Sequence, residues 1–564
     1  MLNPIKILPV NFKIKFIKLS VLIFISFFLE MVGIGMIFPI IATISAPQKS
    51  LEVINDLNID HLIFPILKLY NLNLTEFLLI SFITIYFIRS SFLLFTIRYQ
   101  INFLLKINYY LQLELFKKYI SKDYSFFLLN NSANLIRNIF GEISIFVNYV
   151  LYGIITFLSE ITFLVFILIL LLSINKFVTL LIVIIGLSIF FTFNILFKNK
   201  IKLISNLRQS TEGKKQLVAQ QALIYIKNVK LLQLTNFFGQ AYTSVCNNLI
   251  KVNRNFQHYQ QFPKNLIEIF IITIFGLILL IFINSIQFTE AIPVLAVFAA
   301  SFFKILPSIN RLLQAFNNYN FGKSSIQIVT KNFDFKNETI KKSKLLDIKV
   351  NIIKFDNVSF KYKDNKKKIL NKFNFIFKKN KLTIIYGPSG TGKSTIVDLV
   401  TGLLKPTKGK VLFNDINILN KDVFNYIGYI PQNIDLFDDT ILNNVTLFDE
   451  NYDLEKFEKA IQKVGLSYYI KEKKLKHNEM IGERGCKISG GQKQRLGIAR
   501  AIYKDPEVMI FDEPCTGLDS RNEILIMKCI KKLSKSKIVI LITHNKKYHS
   551  IANYLLDTSS LNAN

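Results

Sequence analysis

Six long apolar stretches crowd into the first 310 positions: about 19–45, 74–98, 146–173, 177–197, 265–285 and 289–312. A bilayer core about 30 Å thick needs roughly 20 apolar residues of helix. Each stretch meets that length, and lipid offers backbone groups no partner, so helices are the form expected. Only Ser173–Lys176 separates the third from the fourth, and Asn284–Glu290 joins the fifth to the sixth. The chain is 51% hydrophobic, with a mean hydropathy of +0.35. Beyond the apolar block the sequence reads as an ordinary mixed α/β domain. The first apolar run is too long for a cleaved leader and lacks a small-residue cleavage pattern, so it is expected to remain as an anchor.

Lys and Arg in the connections set the orientation. Lys6, Lys13, Lys15 and Lys18 precede the first stretch without any acid. The 198–262 connection carries ten Lys or Arg against the single acid Glu212. The 46–73 connection holds Lys49 and Lys68 against Glu52, Asp56 and Asp60. The N-terminus, 99–145, 198–262 and the C-terminal domain are therefore expected on the cytoplasmic side. Part of the net charge of +32 is this bias. A nucleic-acid partner would need a basic stripe with stacking aromatics or a recognisable binding motif. The sequence has neither, so none is expected. Cys246, Cys486, Cys515 and Cys529 have no metal-ligand spacing.

The two long cytoplasmic connections have helical periodicity, for example over Leu105–Ile120. Their middles offer candidate docking turns at Asp123–Asn131 and Leu234–Ala241. In the 46–73 loop, Leu51, Ile54, Leu57, Ile63, Ile66 and Tyr70 form an imperfect helical stripe interrupted by Pro65. It suits either a membrane-surface segment or a packed external loop.

The C-terminal part carries the chemistry. Gly387-Pro388-Ser389-Gly390-Thr391-Gly392-Lys393-Ser394-Thr395 follows the strand-like Leu382–Tyr386 and precedes a helical pattern, the context a phosphate-binding loop requires. Its glycines let backbone N–H groups face phosphates, Lys393 reaches the β- and γ-phosphates, and the Ser394 hydroxyl suits Mg²⁺. Val508–Glu513 is a buried-strand run ending in two acids. Asp512 stands where a Mg²⁺ partner belongs, and Glu513 can act as general base toward water. Between the two lies Ile488-Ser489-Gly490-Gly491-Gln492, opening a helix with Lys493, Gln494 and Arg495.

These residues resemble the signature motif of ABC ATPases, and the resemblance extends residue by residue. Gln432 in Tyr-Ile-Pro-Gln looks like the Q-loop glutamine, a further Mg²⁺ contact. Asp519 looks like the D-loop aspartate, and His544 like the switch histidine. Tyr362 looks like the aromatic that stacks on adenine, though a strand-face aromatic would read the same. Glu483-Arg484-Gly485 resembles the loop that exporters use to contact membrane helices. From Lys393 to Gln432, Ser489, Glu513 and His544 the steps are 39, 57, 24 and 31 residues, in the family order. The family geometry implies that Ser489, Gly490, Gly491 and Gln492 close over ATP bound by a partner chain. A homodimer with two equivalent sites is therefore expected, with ATP and Mg²⁺ as cofactors. Asp-Glu-Pro-Cys-Thr-Gly-Leu-Asp departs from the usual exporter stretch at Pro514 and Gly517. The closing strands after His544 look degenerate, ending in Ser559-Ser560-Leu561-Asn562.

The whole reads as a multidomain membrane protein. A six-transmembrane-helix ABC exporter domain spans 1–325, a linker 326–348, and an α/β P-loop ABC nucleotide-binding domain 349–564. The expected location is a bacterial inner membrane. Within exporters the chain resembles flippases of lipid-linked oligosaccharides in bacterial glycosylation (the PglK type). The likeness rests on Phe262-Pro-Lys264-Asn-Leu-Ile-Glu268, on Phe303-Lys304-Ile-Leu-Pro-Ser-Ile-Asn-Arg311, and on length and loop layout. Lys304 and Arg311, seven residues apart, share a helix face. With Lys264 they suit a pyrophosphate headgroup of an amphipathic or lipid-linked substrate, or else snorkel to the interface. Glu30, Glu160 and Glu268 are further intramembrane acids, and Glu268 is placed to neutralise Lys264. A multidrug or general lipid exporter is the alternative, and an ATP-gated regulator a third reading.

Overall fold

The computed structural model describes residues 8–45, 67, 69, 72–283, 288–333, 349–362, 368–418, 423–467 and 478–559. Most of the 46–73 loop, part of the 284–290 turn and most of the 326–348 linker lie outside these residues. The chain divides into two compact units. One is Met1–Lys122 with Leu129–Asn337, and the other is Asp123–Leu128 with Glu338–Asn564.

The first unit is helical. Val10–Gly35 follows Pro9 and continues, after a break at Met36, as Ile37–Ser45. The second apolar stretch is only the start of a helix over Leu74–Ile120. Asn73 caps it, its backbone N–H donating to Glu76 Oε2 at 2.9 Å. At 1.5 Å per residue, 47 residues run about 70 Å, over twice the bilayer core. The third stretch belongs to a helical run over Ser132–Ile174 that widens to π-helix at Asn138–Glu142 and Phe146–Leu151. Asn175 turns the chain into Lys176–Ile224, and Thr235–Ile283, Phe288–Phe321 and Lys323–Phe333 follow.

Among the described residues, four helices are long and apolar enough to cross a membrane: Val10–Ile44, Leu74–Ile120, Ser132–Ile174 and Ile292–Phe321. Helix also runs through 177–197 and 265–283, where many side chains lie outside the described residues.

Ile34, Phe163, Ile167, Leu171, Phe298 and Phe302 form one apolar cluster of this unit. In another, Phe256 stacks on Phe321 with ring centroids 3.8 Å apart. Buried beside them, Arg208 Nη2 donates to Glu142 Oε2 at 3.2 Å, and the Ser325 hydroxyl donates to the same oxygen at 2.5 Å. The pair is only partly satisfied, since Glu142 Oε1 and Arg208 Nε and Nη1 are buried without a hydrogen-bond partner among the described residues.

Near the second candidate docking turn, the chain turns a few residues earlier than Leu234–Ala241. Helix stops at Ile224, a short helix spans Ile226–Leu231, and the turn closes through Gln233 at φ 54°. Leu234–Ala241 is mostly the opening of the Thr235–Ile283 helix. The first turn becomes the short helix Tyr124–Leu129. Asp123 groups with the second unit, where Lys405 Nζ donates to its Oδ2 at 2.9 Å.

Among the described residues nine strands order the second unit: β1 (Ile352–Phe360), β2 (Leu370–Lys378), β3 (Lys381–Tyr386), β4 (Lys408–Phe413), β5 (Ile416–Asn417), β6 (Ile427–Ile430), β7 (Val508–Asp512), β8 (Ile538–Ile542) and β9 (Tyr554–Asp557). An antiparallel sheet runs β2-β1-β4-β5, and a parallel sheet runs β6-β7-β8-β3-β9. Strand β8 is Ile-Val-Ile-Leu-Ile, buried along its whole length, as a central parallel strand covered on both faces requires. Each such side chain contributes about 1.5–3 kcal/mol by leaving water.

The chain end departs from expectation. The tail after His544 does form a closing strand, β9, paired in parallel with β3 through Thr383↔Tyr554 to Tyr386↔Asp557. Parallel strands present their C-terminal ends along one edge of a sheet, where loops can build a site. At that edge β3 leads into the phosphate loop, β6 to Gln432, β7 to Asp512 and Glu513, and β8 to His544.

Candidate nucleotide site

The phosphate loop leaves β3 at Tyr386 and enters the Lys393–Val400 helix through Gly392, which caps it at φ 99°. Gly387, at φ 142°, is pressed against Thr558, so a side chain fits there neither by conformation nor by space. Thr558 is fully buried and donates to Tyr386 O at 3.0 Å. It also meets the Thr391 hydroxyl at 2.6 Å, and Thr391 Oγ1 donates to Pro388 O at 2.8 Å. The residue just past β9 thus braces the loop. Lys393 Nζ donates to Gly387 O and Pro388 O, both at 2.8 Å. Burial draws its pKa down, while Glu513 and Asp512 oppose that. Ser394 and Ser389 are exposed, and Thr395 is buried. The Tyr362 ring packs edge-on against Phe360 at 5.0 Å, with its hydroxyl 3.5 Å from Thr395 Oγ1.

Glu513 is the most constrained side chain here. It takes φ 46°, a left-handed conformation costly for a residue with a Cβ. Its N–H donates to Ile542 O at 3.0 Å, tying it to the end of β8. Gln432 Nε2 donates to Oε2 at 2.9 Å, the Thr516 hydroxyl donates to Oε2 at 3.3 Å, and His544 Nε2 lies 3.1 Å from Oε1. A cavity of about 220 Å³ opens beside them, lined among others by Glu513, Cys515, Thr543, His544 and Tyr548. Asp512 accepts from the Tyr429 hydroxyl at 3.2 Å. Burial raises its pKa first of all, and the Glu513 charge adds to that. Asp398, on the helix after the phosphate loop, is pushed up to about 6 by burial and by the charge of Asp512.

The structure therefore brings Gln432, Asp512, Glu513 and His544 to the phosphate-loop edge. It adds Tyr429 and Thr516, which lie within the Tyr-Ile-Pro-Gln and Asp-Glu-Pro-Cys-Thr-Gly-Leu-Asp stretches, and Asp398 and Thr558, which lie in no motif. Tyr429 stands three residues before Gln432 on an alternating strand, which was a usable signal. Thr558 had none.

The signature residues stand elsewhere in the unit. Ser489 caps the Gly490–Lys504 helix: Gln492 N donates to Ser489 Oγ at 3.3 Å, and Ser489 N donates to Gln492 Oε1 at 2.8 Å. Ser489 and Gly490 are exposed, and Gly491 is half-buried. Among the described residues no hydrogen bond or ion pair joins Ser489–Gln492 to 387–395. Asp519 caps the next helix, Ser520–Leu533, and Asn522 Nδ2 donates to its carboxylate at 2.5 Å, which draws its pKa down. Glu483–Gly485 forms a short 3-10 turn.

In the first unit Lys304 and Arg311 are matched by acids on other helices. Lys304 Nζ donates to Glu30 Oε1 at 3.0 Å, and Arg89 Nη2 reaches the same oxygen at 2.8 Å. Arg311 Nε donates to Glu160 Oε1 at 2.5 Å, and the Ser308 hydroxyl to Glu160 Oε2 at 2.6 Å. Glu30 and Glu160 are buried while Lys304 and Arg311 stay partly exposed, and a charge buried in a helix bundle calls for a counter-charge. Arg89 belongs with them and was missed. Lys264 and Glu268 are both exposed.

For a metal, the relevant donors are the Ser394 hydroxyl, the Gln432 side chain and the Asp512 carboxylate. They are hard oxygen ligands, and among the described residues no group of three or more His, Cys, Asp or Glu forms a cage. So sparse a set fits Mg²⁺ carried by phosphates better than a dedicated protein site.

Residues 370–516 match the model of the ABC transporter family. The chain is 39% identical over 197 residues to the mitochondrial iron-sulfur clusters transporter ATM1 of Candida glabrata, covering 34% of this chain and 27% of that protein. It is 30% identical over 249 residues to the ATP-dependent lipid A-core flippase of Haemophilus ducreyi, covering 43% of each. The chain thus spans less than half the length of these curated relatives. A bacterial Atm1-family ABC exporter with ATP bound superposes with a TM-score of 0.76 at 18% identity, over 97% of this chain and 94% of that one. The chain therefore has the ABC exporter fold, a helical membrane domain followed by an ABC-type ATPase domain.

Proposed function

We propose that the protein hydrolyses ATP to drive transport across a membrane, working as a pair of identical chains. The observation that carries this reading is the convergence of Gln432, Thr516 and His544 on Glu513, beside the phosphate loop. Mg²⁺, held by Ser394, Gln432 and Asp512, would supply neutralisation of the phosphate charge. Lys393 and the loop N–H groups hold the phosphates, and Tyr362 bears on the adenine. Glu513 takes the proton of the attacking water, with its two oxygens fixed by Gln432 and His544. Ser489, Gly490, Gly491 and Gln492 serve the nucleotide of the partner chain, with Asp519 nearby. ATP then favours the closed pair because only there does it contact both copies. The ATP site faces the cytoplasm of a bacterial inner membrane.

The leading cargo is a lipid-linked oligosaccharide or related amphipathic lipid, with Lys264, Lys304 and Arg311 meeting an anionic headgroup. Support comes from the placing of Lys304 and Arg311 on the Phe288–Phe321 helix, each in exchange distance of a carboxylate that a headgroup could replace. A multidrug or general lipid exporter is the second reading, since the relatives above carry names with different cargoes. Two experiments test the proposal. Glu513→Gln should trap ATP in a closed dimer, and continued turnover would overturn the ATPase assignment. Lys304→Ala with Arg311→Ala should abolish lipid-stimulated transport into inverted vesicles, and unchanged transport would overturn the headgroup role.

A further inference from the structure

Glu513 is gripped by three side chains, whereas its neighbour Asp512 is held by one. Among the described residues the Tyr429 hydroxyl is the only hydrogen-bond donor to the Asp512 carboxylate, at 3.2 Å. The placement follows from the strands. Tyr429 pairs opposite Ile510 in the parallel β6–β7 register, and Ile430 opposite Phe511. Side chains alternate along a strand, so Ile430 enters the core while Tyr429 faces away, 37% exposed, toward the phosphate-loop edge. Three residues on, Gln432 serves Glu513. One short stretch thus supplies a donor to each of the two acids. The charge of Asp512 in turn acts on Asp398.

We propose that Tyr429 is a positioning residue for the divalent cation, its phenol O–H holding the Asp512 carboxylate in the orientation that meets the metal. This rests on the ATP-hydrolysis reading above. Removing a partner that orients a metal ligand typically costs about 10-fold or more in metal affinity. Phenylalanine keeps the ring and removes only the donor.

The test uses the purified full chain and Mn²⁺, followed by electron paramagnetic resonance, with a non-hydrolysable ATP analogue present. Tyr429→Phe should weaken Mn²⁺ binding about tenfold and leave nucleotide affinity without metal unchanged. Tyr429→Leu, which also removes the ring, should lose no more Mn²⁺ affinity than Tyr429→Phe. Wild-type Mn²⁺ affinity in Tyr429→Phe would overturn the inference. So would an equal loss of metal-free nucleotide affinity, which would mark a packing role. A wild-type chain that neither binds Mn²⁺ with nucleotide nor hydrolyses ATP would overturn the ATPase reading, and this inference with it.

Discussion

His544 Nε2 lies 3.1 Å from Glu513 Oε1, and the two residues follow the ends of neighbouring parallel strands. Because the Glu513 N–H also bonds Ile542 O, the acid is anchored to the strand that delivers the histidine. Such a pair aims the carboxylate. His544→Ala should therefore lower the turnover number for ATP by about 100-fold, at the low end of what a positioned acid–base pair contributes. ATP affinity should stay near wild type, because His544 is not part of the phosphate loop. Steady-state hydrolysis together with calorimetric ATP binding checks both halves.

Thr558 is a second lever on the same site, acting from the chain end. Its hydroxyl bridges Tyr386 O and Thr391, and it sits where Gly387 leaves no room. Thr558→Val keeps the shape and removes the bridge. The expected cost is about 0.5–1.5 kcal/mol of domain stability for the lost hydroxyl hydrogen bonds, because Tyr386 O keeps the Thr558 N–H at 2.9 Å and the Thr391 hydroxyl keeps Pro388 O at 2.8 Å. ATP should bind about tenfold more weakly, since 1.4 kcal/mol spent on ordering the loop is a factor of ten. Denaturant melts and ATP titrations read the two effects separately.

What could be read from the sequence divides along a physical line. The phosphate loop, Asp512, Glu513 and the capped Ser489 are local patterns: a strand, a turn with special φ values, a helix start. Local chemistry writes them into consecutive residues. Partnerships across the fold are not written that way. Glu30 meets Lys304 from 274 positions away, and Glu160 meets Arg311 from 151 away, so the acids were visible but their assignments were not. Thr558 depends on β9, which the sequence made look degenerate. The turn near Leu234 was misplaced for a different reason. The break after Ile224 carries no Gly or Pro, and Gln233 takes φ 54° without any compositional signal.

The cysteines should differ sharply in reactivity. Cys486 is exposed, whereas burial pushes Cys515 up to about 12 and also raises Cys529. The thiolate is the reactive form, so at pH 8 Cys515 is almost wholly the unreactive thiol. Alkylation followed by peptide mass spectrometry should label Cys486 first. Labelling of Cys515 should rise about tenfold per pH unit, because its pKa lies above the range in which the folded chain is handled.

The Glu160–Arg311 contact tests whether the membrane helices depend on matched charges. Glu160 is nearly buried, while the Arg311 side chain is half exposed. Glu160→Gln leaves Arg311 facing a neutral amide and strips the Ser308 hydroxyl of its charged acceptor. Removing one partner of a buried pair is strongly destabilising, but the exposure of Arg311 lowers the effect here. The single substitution should lower the melting temperature in detergent. Adding Arg311→Gln should restore part of that loss, because the stranded cation goes with it. A coupling of about 0.5–3 kcal/mol is the range for residues in contact. Two strictly additive losses would mean that the pair carries no mutual energy, and that Arg311 is held in place by the helix alone.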